Sequence, residues 1–278
     1  MVDVGAALFD LMQRRSLLPG VVEDAIRGAG RDVSGLRVVV TGASAGIGRH
    51  AVDQLTAGGA SVIAIARREA ELASLAQDTG CEFLVADLAD ESDVERILGE
   101  LANTRIDVLV NNAGRSIRRP IMDSTDRLHD YQRTMAINYF AAVQLSLGVL
   151  PGMVERGSGQ IVNICTWGLM AGTFPRFSAY AASKNALGIF GRSLNAERPH
   201  PGVCATNIYY PLVRTEMISP TAEYDDLQAL DVAEAARWIV RAITHRPREV
   251  APAGLRAVLP ILDYLSPAAT DRVMRNIT

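Results

Sequence analysis

Tyr180 and Lys184 are the side chains whose types and spacing best suit chemistry: four residues apart, they share one face if the segment is helical. An unperturbed tyrosine titrates near pH ~10 and is a poor acid-base group near neutrality, but an adjacent ammonium favours the phenolate and lowers that value. The pair can then act as a general acid and base. Lys184 is also the only lysine, since 27 of the 28 Lys and Arg residues are arginine. Such a composition marks a place where a compact ammonium on a flexible stem is not replaced by a guanidinium fork. A tyrosine and a lysine at this spacing are more often a plain surface pair, so the reading depends on what precedes them.

What precedes them is a phosphate-binding arrangement. Val38-Val39-Val40-Thr41 reads as a buried strand, Gly42-Ala43-Ser44-Ala45-Gly46-Ile47-Gly48 as a glycine turn, and Arg49 to Leu55 as the opening of a helix. Glycines let a backbone turn tightly against a pyrophosphate, whose charge the free N–H groups and dipole of the following helix stabilise. A dinucleotide is the expected ligand, although the spacing is Gly-x-x-x-Gly-x-Gly and a lone glycine cluster can be a plain loop. A second strand, Ser61 to Ala66, ends at Arg67-Arg68. An acid there would take the 2'-hydroxyl of NAD, whereas arginine suits a 2'-phosphate, so NADP(H) is expected in preference to NAD(H). The two arginines could also be solvated helix-start residues.

These groups need a scaffold that brings strand ends together. Apolar strands are expected at 82–86, 107–110, 160–164, 203–209 and 249–251, alternating with helices to about Gln77 and over 92–102, 131–154, 178–198 and 232–243. Such alternation implies an α/β fold, a Rossmann-type doubly wound parallel sheet flanked by helices. Ligands then sit at the carboxyl ends of the strands, where Asp87-Leu88 and Asn111-Asn112-Ala113-Gly114 stand. Asp87 could equally be a helix cap and Asn-Ala-Gly a turn. The expected organisation is one such domain over 35–254, an N-terminal helical extension over 1–34 and a C-terminal helical tail over 255–278. The extension could cap the sheet edge, reach a subunit interface or border a substrate entrance. The tail could cover the pocket, join subunits or rest on a membrane surface, with cover favoured.

Together the glycine turn Thr41 to Gly48, Asp87-Leu88, Asn111 to Gly114, Asn138 within a helix and Tyr180-Ala-Ala-Ser-Lys184 resemble the short-chain dehydrogenase/reductase family, in its order and spacing. The resemblance implies that Gly42, Ser44, Ala45, Gly46, Ile47 and Gly48 contact the phosphates and ribose, with Arg67 beside the ribose. It places Asp87 and Leu88 at the adenine, Asn112, Ala113 and Gly114 along the cofactor, and Asn111 as a brace for the sheet. It makes Tyr180 the acid/base, Lys184 a holder of the nicotinamide ribose, and Asn138 the holder of a water that relays protons to Lys184. Pro211, Val213 and Thr215 match cofactor positions, the last two at the carboxamide. The two long helices would pack against another subunit, giving a homodimer or homotetramer.

The chain departs from that pattern in two places. Strand register puts Thr166 where the family supplies a serine hydroxyl, whereas counting back from Tyr180 gives Trp167; a loop one residue longer keeps Thr166 as the donor. Leu212 follows Pro211 where the family has glycine. Residues 212–230 are expected to form a substrate lid, whose Leu212, Met217, Ile218 and Leu227 suit a lipophilic substrate. The stretch from Cys165-Thr-Trp-Gly to Arg214-Thr-Glu-Met-Ile-Ser-Pro220 also resembles the branch that includes bacterial fatty acyl-CoA reductase domains. The expected function is an NADP(H)-dependent oxidoreductase interconverting a lipophilic ketone, aldehyde or acyl derivative and the alcohol. The alternative, motivated by Thr166-Trp167, is a catalytically weak NADP(H)-binding regulatory protein.

Composition narrows the partners. With 278 residues, 49% hydrophobic, the chain can bury a large core, and a net charge of -3 offers no footprint for nucleic acid. No apolar run reaches the ~18 residues of a spanning helix and Asp3 stands where a secretion signal carries base, so a soluble cytoplasmic protein is expected. Cys81, Cys165 and Cys204 are odd in number and widely spaced, which suits reduced core thiols. His50, His129, His200 and His245 show no metal-ligand spacing, and no metal is expected.

Overall fold

A computed structural model describes residues 30–217 and 229–277. The expected helices before residue 30 and the middle of the expected lid, 218–228, lie outside the described residues. Seven strands, β1 (Arg37–Thr41), β2 (Ser61–Ala66), β3 (Glu82–Val85), β4 (Val108–Asn111), β5 (Gly159–Thr166), β6 (Val203–Tyr210) and β7 (Glu249–Val250), form one sheet in the order β3-β2-β1-β4-β5-β6-β7. Every pairing is parallel. The chain runs outward from β1 to β3, then crosses back to lay β4 on the other side of β1. That reversal opens the crevice between the carboxyl ends of β1 and β4 in which dinucleotides bind in such folds.

Strand residues alternate between two cores. Val38 and Val40 of β1, with Val108 and Val110 of β4, face α1 (Gly46–Ala57), α2 (Glu69–Thr79) and α7 (Val232–His245). Val39 and Leu109 face α3 (Glu91–Leu101), the long helix that follows β4, and α6 (Ser178–Glu197). Burial on both faces is why these strands read as continuous apolar runs rather than alternating ones. The tail forms two helices, α8 (Ala253–Leu265) and α9 (Pro267–Ile277). Leu255, Leu259 and Met274 pack there on Ala171 of the short turn that follows β5.

The long helix is continuous from Leu128 to Glu155 but not uniform: α4 (Leu128–Met135) passes through a π turn, Ala136–Phe140, into α5 (Ala141–Glu155). Over its 28 residues it is long and apolar enough to cross a membrane, contrary to the expectation that no run is. Its apolar content also serves the core, with Ala141, Ala142, Leu145 and Met153 buried against the sheet. By composition alone, such a core helix cannot be told from a span.

A row of buried amides ties α6 to the sheet. Asn111 Nδ2 donates to Asn163 Oδ1 at 3.0 Å and to Ser146 Oγ at 3.0 Å, and Asn163 Nδ2 donates to Asn207 Oδ1 at 3.1 Å. Asn207 Nδ2 donates to the Gly188 carbonyl of α6 at 2.8 Å. The three asparagines are register partners on β4, β5 and β6, so one register aligns the whole row. Gly191 lies against it: a Cβ there would collide with Asn207 Oδ1 and stand 2.8 Å from Asn163 Nδ2. Gly191→Ala is therefore expected to lower unfolding free energy by about 1–3 kcal/mol, as overpacked cores do, in urea titrations. Unchanged stability would mean that the amides move aside freely.

Candidate active site

At the carboxyl end of β1 the backbone is shaped for an anion. Gly42 has φ +67, and its missing Cβ leaves room for Ala113 Cα, which would otherwise be 2.8 Å away. A Cβ on Gly48 would meet the Gly42 carbonyl and stand 2.6 Å from Asn112 Nδ2. The turn is thereby pressed onto the end of β4, where Asn112 Nδ2 donates to the Thr41 carbonyl at 2.9 Å and Ala113 N–H to Thr41 Oγ1 at 2.9 Å. Helix α1 starts after Ala45, which offers no side-chain cap, and carries no acid in its first turn. An uncapped helix start of this kind, behind a glycine turn, fits a pyrophosphate and so fits the dinucleotide.

Beyond β2, Arg68 Nε donates to Ser44 Oγ of the turn at 3.2 Å, and its guanidinium lies 3.5 Å from Glu216 and 3.6 Å from Glu71. Arg67 stands 3.6 Å from Asp87. Asp87 Oδ1 also accepts the Ala89 N–H at 3.0 Å, closing its own turn, while Leu88 is buried. All five ionic groups are well exposed, so these contacts are weak and easily exchanged. Thr215 Cγ2 lies 3.5 Å from where a Gly46 Cβ would be, over the glycine turn. Pro211 is buried, and Val213 bridges to Leu230, with Leu230 N–H on the Leu212 carbonyl at 2.7 Å. The two stems of the expected lid are thus fastened together. Leu212 is not among the left-handed residues, so glycine is not required there.

Lysine, asparagine and the glycine after β4 converge. A Cβ on Gly114 would stand 3.0 Å from Asn138 Oδ1 and 3.1 Å from Lys184 Nζ, so only glycine lets the three meet without displacement. Asn138 sits in the π turn, fully buried. Its Nδ2 donates to Ser183 Oγ and to the Arg115 carbonyl, and its Oδ1 accepts the Arg115 N–H, all at 2.9 Å. Ser183 Oγ donates in turn to the Tyr180 carbonyl at 2.8 Å, within the first turns of α6. π turns recur at functional sites because the extra residue re-aims side chains. Lys184 is 3% exposed, and burial pushes its pKa down to about 8. Cys165 lies next to the same helix, its Sγ 3.7 Å from the Lys184 carbonyl, and burial pushes that thiol up to about 12, so it stays an inert thiol.

Thr166 is the last residue of β5, paired with Tyr210 and nearly buried at the sheet's carboxyl end. The strand extends two residues beyond the expected Ile164. Trp167 opens the following turn, and its indole packs beside Ala171, Leu255, Leu259 and Met274, edge-on to Phe174. From there a relay of rings leads back: Phe174 stacks on Phe177 at 4.7 Å between centroids, and Phe177 meets Tyr180 edge-on at 6.3 Å. The sequence did not mark Ser183, Asn163 or Asn207; a polar residue inside an otherwise apolar strand was the available signal for the asparagines. Among the described residues no group of three or more metal-ligating side chains gathers.

A family model described as short chain dehydrogenase matches residues 37–226. A Mycobacterium tuberculosis protein named fatty acyl-CoA reductase is 43% identical over 252 residues, covering 88% of this chain and 85% of that one. An Acinetobacter baylyi protein named fatty acyl-CoA reductase is 43% identical over 227 residues, covering 79% of this chain and 77% of its own. A solved structure described as a short chain dehydrogenase/reductase family protein superposes with a TM-score of 0.74 at 28% identity, over 82% of this chain and 100% of that one.

Burial of the Lys184 ammonium has a measurable cost. Lowering its pKa from 10.5 to about 8 corresponds to about 3 kcal/mol of disfavoured charge. Below about pH 8 the folded and unfolded lysine are both charged and the cost is full. Between about 8 and 10.5 the folded amine is neutral while the unfolded one is charged, and the cost fades. Lys184→Met is expected to be more stable than wild type at pH 7, by up to about 3 kcal/mol in urea unfolding, with the gap closing toward pH 10. A variant no more stable than wild type at pH 7 would contradict this.

Proposed function

Because the chain belongs to the short-chain dehydrogenase/reductase family, we propose that this oxidoreductase is an NADP(H)-dependent reductase of long-chain acyl-CoA thioesters and the corresponding aldehydes. The observation that carries the reading is the meeting of Gly114, Asn138 Oδ1 and Lys184 Nζ beside the crevice whose other wall is the uncapped start of α1. Support for the substrate class comes from the two relatives named fatty acyl-CoA reductase. Arg67 and Arg68 at the end of β2 support NADP(H), since both can turn from exposed carboxylates to a 2'-phosphate. The exposed apolar faces of α5 and α6, with Leu147 and Ile189, support a homodimer or homotetramer.

A reduced nicotinamide, when held there, would supply the hydride for the carbonyl carbon. Residues of this chain do the rest. Gly42, Ser44, Ala45, Gly46, Ile47 and Gly48 hold the phosphates, Asp87 and Leu88 border the adenine, and Asn112, Ala113, Gly114, Pro211, Val213 and Thr215 line the remainder. Tyr180 lends a proton to the carbonyl oxygen, while Thr166 donates a hydrogen bond to that oxygen as charge develops. The Lys184 ammonium favours the tyrosinate that results and holds the ribose, and Asn138 orients a water that returns the proton. With a thioester, the lent proton comes back as the carbonyl re-forms and the carbon–sulfur bond breaks. The sulfur leaves with the bonding pair and takes up one proton, so one NADPH and one proton give aldehyde, free thiol and NADP. Going on from aldehyde to alcohol would take a second NADPH and a second proton, with Tyr180 again the proton donor. The indole that motivated a non-catalytic reading packs beneath α8 and α9, so no observation favours that alternative.

Consumption of NADPH with acyl-CoA and aldehyde substrates of increasing chain length tests the reading; no turnover with any of them would reject it. Thr166→Ser should keep most of the rate and Thr166→Val should lose ~10²- to 10³-fold in kcat, the usual cost of one such donor. A valine variant as fast as wild type would move the donor elsewhere. Calorimetry should show NADPH bound at least about tenfold more tightly than NADH, with the order reversed in Arg67→Asp. Equal affinities in the wild type would mean that Arg67 and Arg68 do not read the phosphate.

A further inference from the structure

Both arginines at the end of β2 already face carboxylates: Arg67 has Asp87 at 3.6 Å, and Arg68 has Glu216 at 3.5 Å and Glu71 at 3.6 Å. Two of these acids are placed by their own segments. Asp87 closes its turn by accepting the Ala89 N–H, and Glu71 stands in the first turn of α2, where the helix dipole favours an acid. Glu216 comes from farther away. It follows β6, which lies on the other side of β1 from β2 with β4 and β5 between, so the chain after β6 crosses the carboxyl end of the sheet to bring this carboxylate to Arg68. Thr215 marks the crossing, with its Cγ2 3.5 Å from where a Gly46 Cβ would stand. Arg68 fastens it: Nε donates to Ser44 Oγ of the glycine turn at 3.2 Å, and Nη1 faces Glu216.

A phosphate brought to Arg68 meets that contact. Carboxylate and phosphate both seek the donors of a guanidinium, and both are anions. The Arg68 side chain is 43% exposed and that of Glu216 76% exposed, so their attraction is screened and the two part readily. NAD(H) presents a hydroxyl in this place and leaves the pair intact. NADP(H) either displaces Glu216 from Arg68 or accepts a second negative charge beside its own. A contact that one ligand keeps and the other loses subtracts from the difference between their affinities.

We infer that Glu216 is a specificity-determining residue of the cofactor site, whose carboxylate competes with the 2'-phosphate for Arg68 and so narrows the preference for NADP(H) over NAD(H). This rests on the NADP(H) reading above and adds a residue that works against it.

Calorimetry on the full chain with NADPH, NADH, adenosine 2',5'-bisphosphate and AMP tests this without turnover. Glu216→Gln should bind NADPH and the bisphosphate about three- to tenfold more tightly than wild type, as removal of one exposed competing charge allows, and should bind NADH and AMP as wild type does. The gain should shrink in about 1 M salt, where exposed charges are screened. In an Arg68→Ala background the same substitution should change NADPH affinity by less than about twofold, because the cation competed for is gone. A gain that survives there overturns the inference, since it comes from general repulsion and not from Arg68. Unchanged NADPH binding in Glu216→Gln also overturns it, and weaker binding does so by showing that Glu216 holds Arg68 in place for the phosphate. A fall in NADH affinity overturns it by assigning Glu216 to the ribose hydroxyl. Equal affinity of wild type for NADPH and NADH removes the NADP(H) reading and the inference with it, whereas a wild-type preference that Glu216→Gln leaves unaltered removes the inference alone.

Discussion

The amide row Asn111–Asn163–Asn207 is the interaction on which the arrangement of this protein depends. A buried amide left unpaired costs of order 1–3 kcal/mol, so three of them in the sheet interior are tolerable only if each finds the next. Only one register of β4, β5 and β6 satisfies that requirement. The row ends on Gly188, one turn beyond Lys184, so the same hydrogen bonds that set the strands also set the height of α6 above them. Gly188 and Gly191 let the helix come close enough to be held. Tyr180 and Lys184 inherit their positions from this contact.

The ammonium at the centre of the site works against the fold that holds it. Removing Lys184 from water is unfavourable, and among the described residues no ion pair with a carboxylate offsets the burial. The fold sets the Asn138 amide oxygen close by, omits a side chain at Gly114, and bends the long helix through a π turn to do so. The cofactor side follows a different logic. There Arg67 and Arg68 stand exposed against Asp87, Glu71 and Glu216, in contacts weak enough to be traded for a ligand. Rigid, costly packing thus surrounds the lysine, and loose, solvated charge surrounds the arginines.

Much of this was legible in the residue order. Doubly buried parallel strands are apolar on both faces, so β1, β2 and β4 stand out, and glycine after β1 marks the crevice by its spacing. Strand and helix ends were less legible. β5 runs on through Cys165 and Thr166 because both pair with β6, a tertiary contact that leaves no local signal. The π turn at Ala136–Phe140 is invisible in composition, since its extra residue changes geometry and not character. The competition between Thr166 and Trp167 could not be resolved by counting. What the structure adds is a packing partner for the indole, which lies against Leu255 and Leu259 of α8 and Met274 of α9, far downstream in the chain. The row of asparagines was within reach as three polar residues inside apolar strands, but its meaning needed the register.

The solitary lysine also changes how the protein meets electrophiles. Its arginines stay protonated and unreactive at any working pH, so Lys184 is the single side-chain amine in the molecule. With a pKa near 8, a good part of that amine is neutral and nucleophilic under mildly alkaline conditions, whereas an exposed lysine would be almost wholly charged. At 3% exposure it can be reached only by a reagent that enters the crevice. Besides the chain's α-amino group, an amine-selective reagent has nothing else to find. Its uptake becomes a footprint of whether the crevice is open or filled, read from one residue without any turnover.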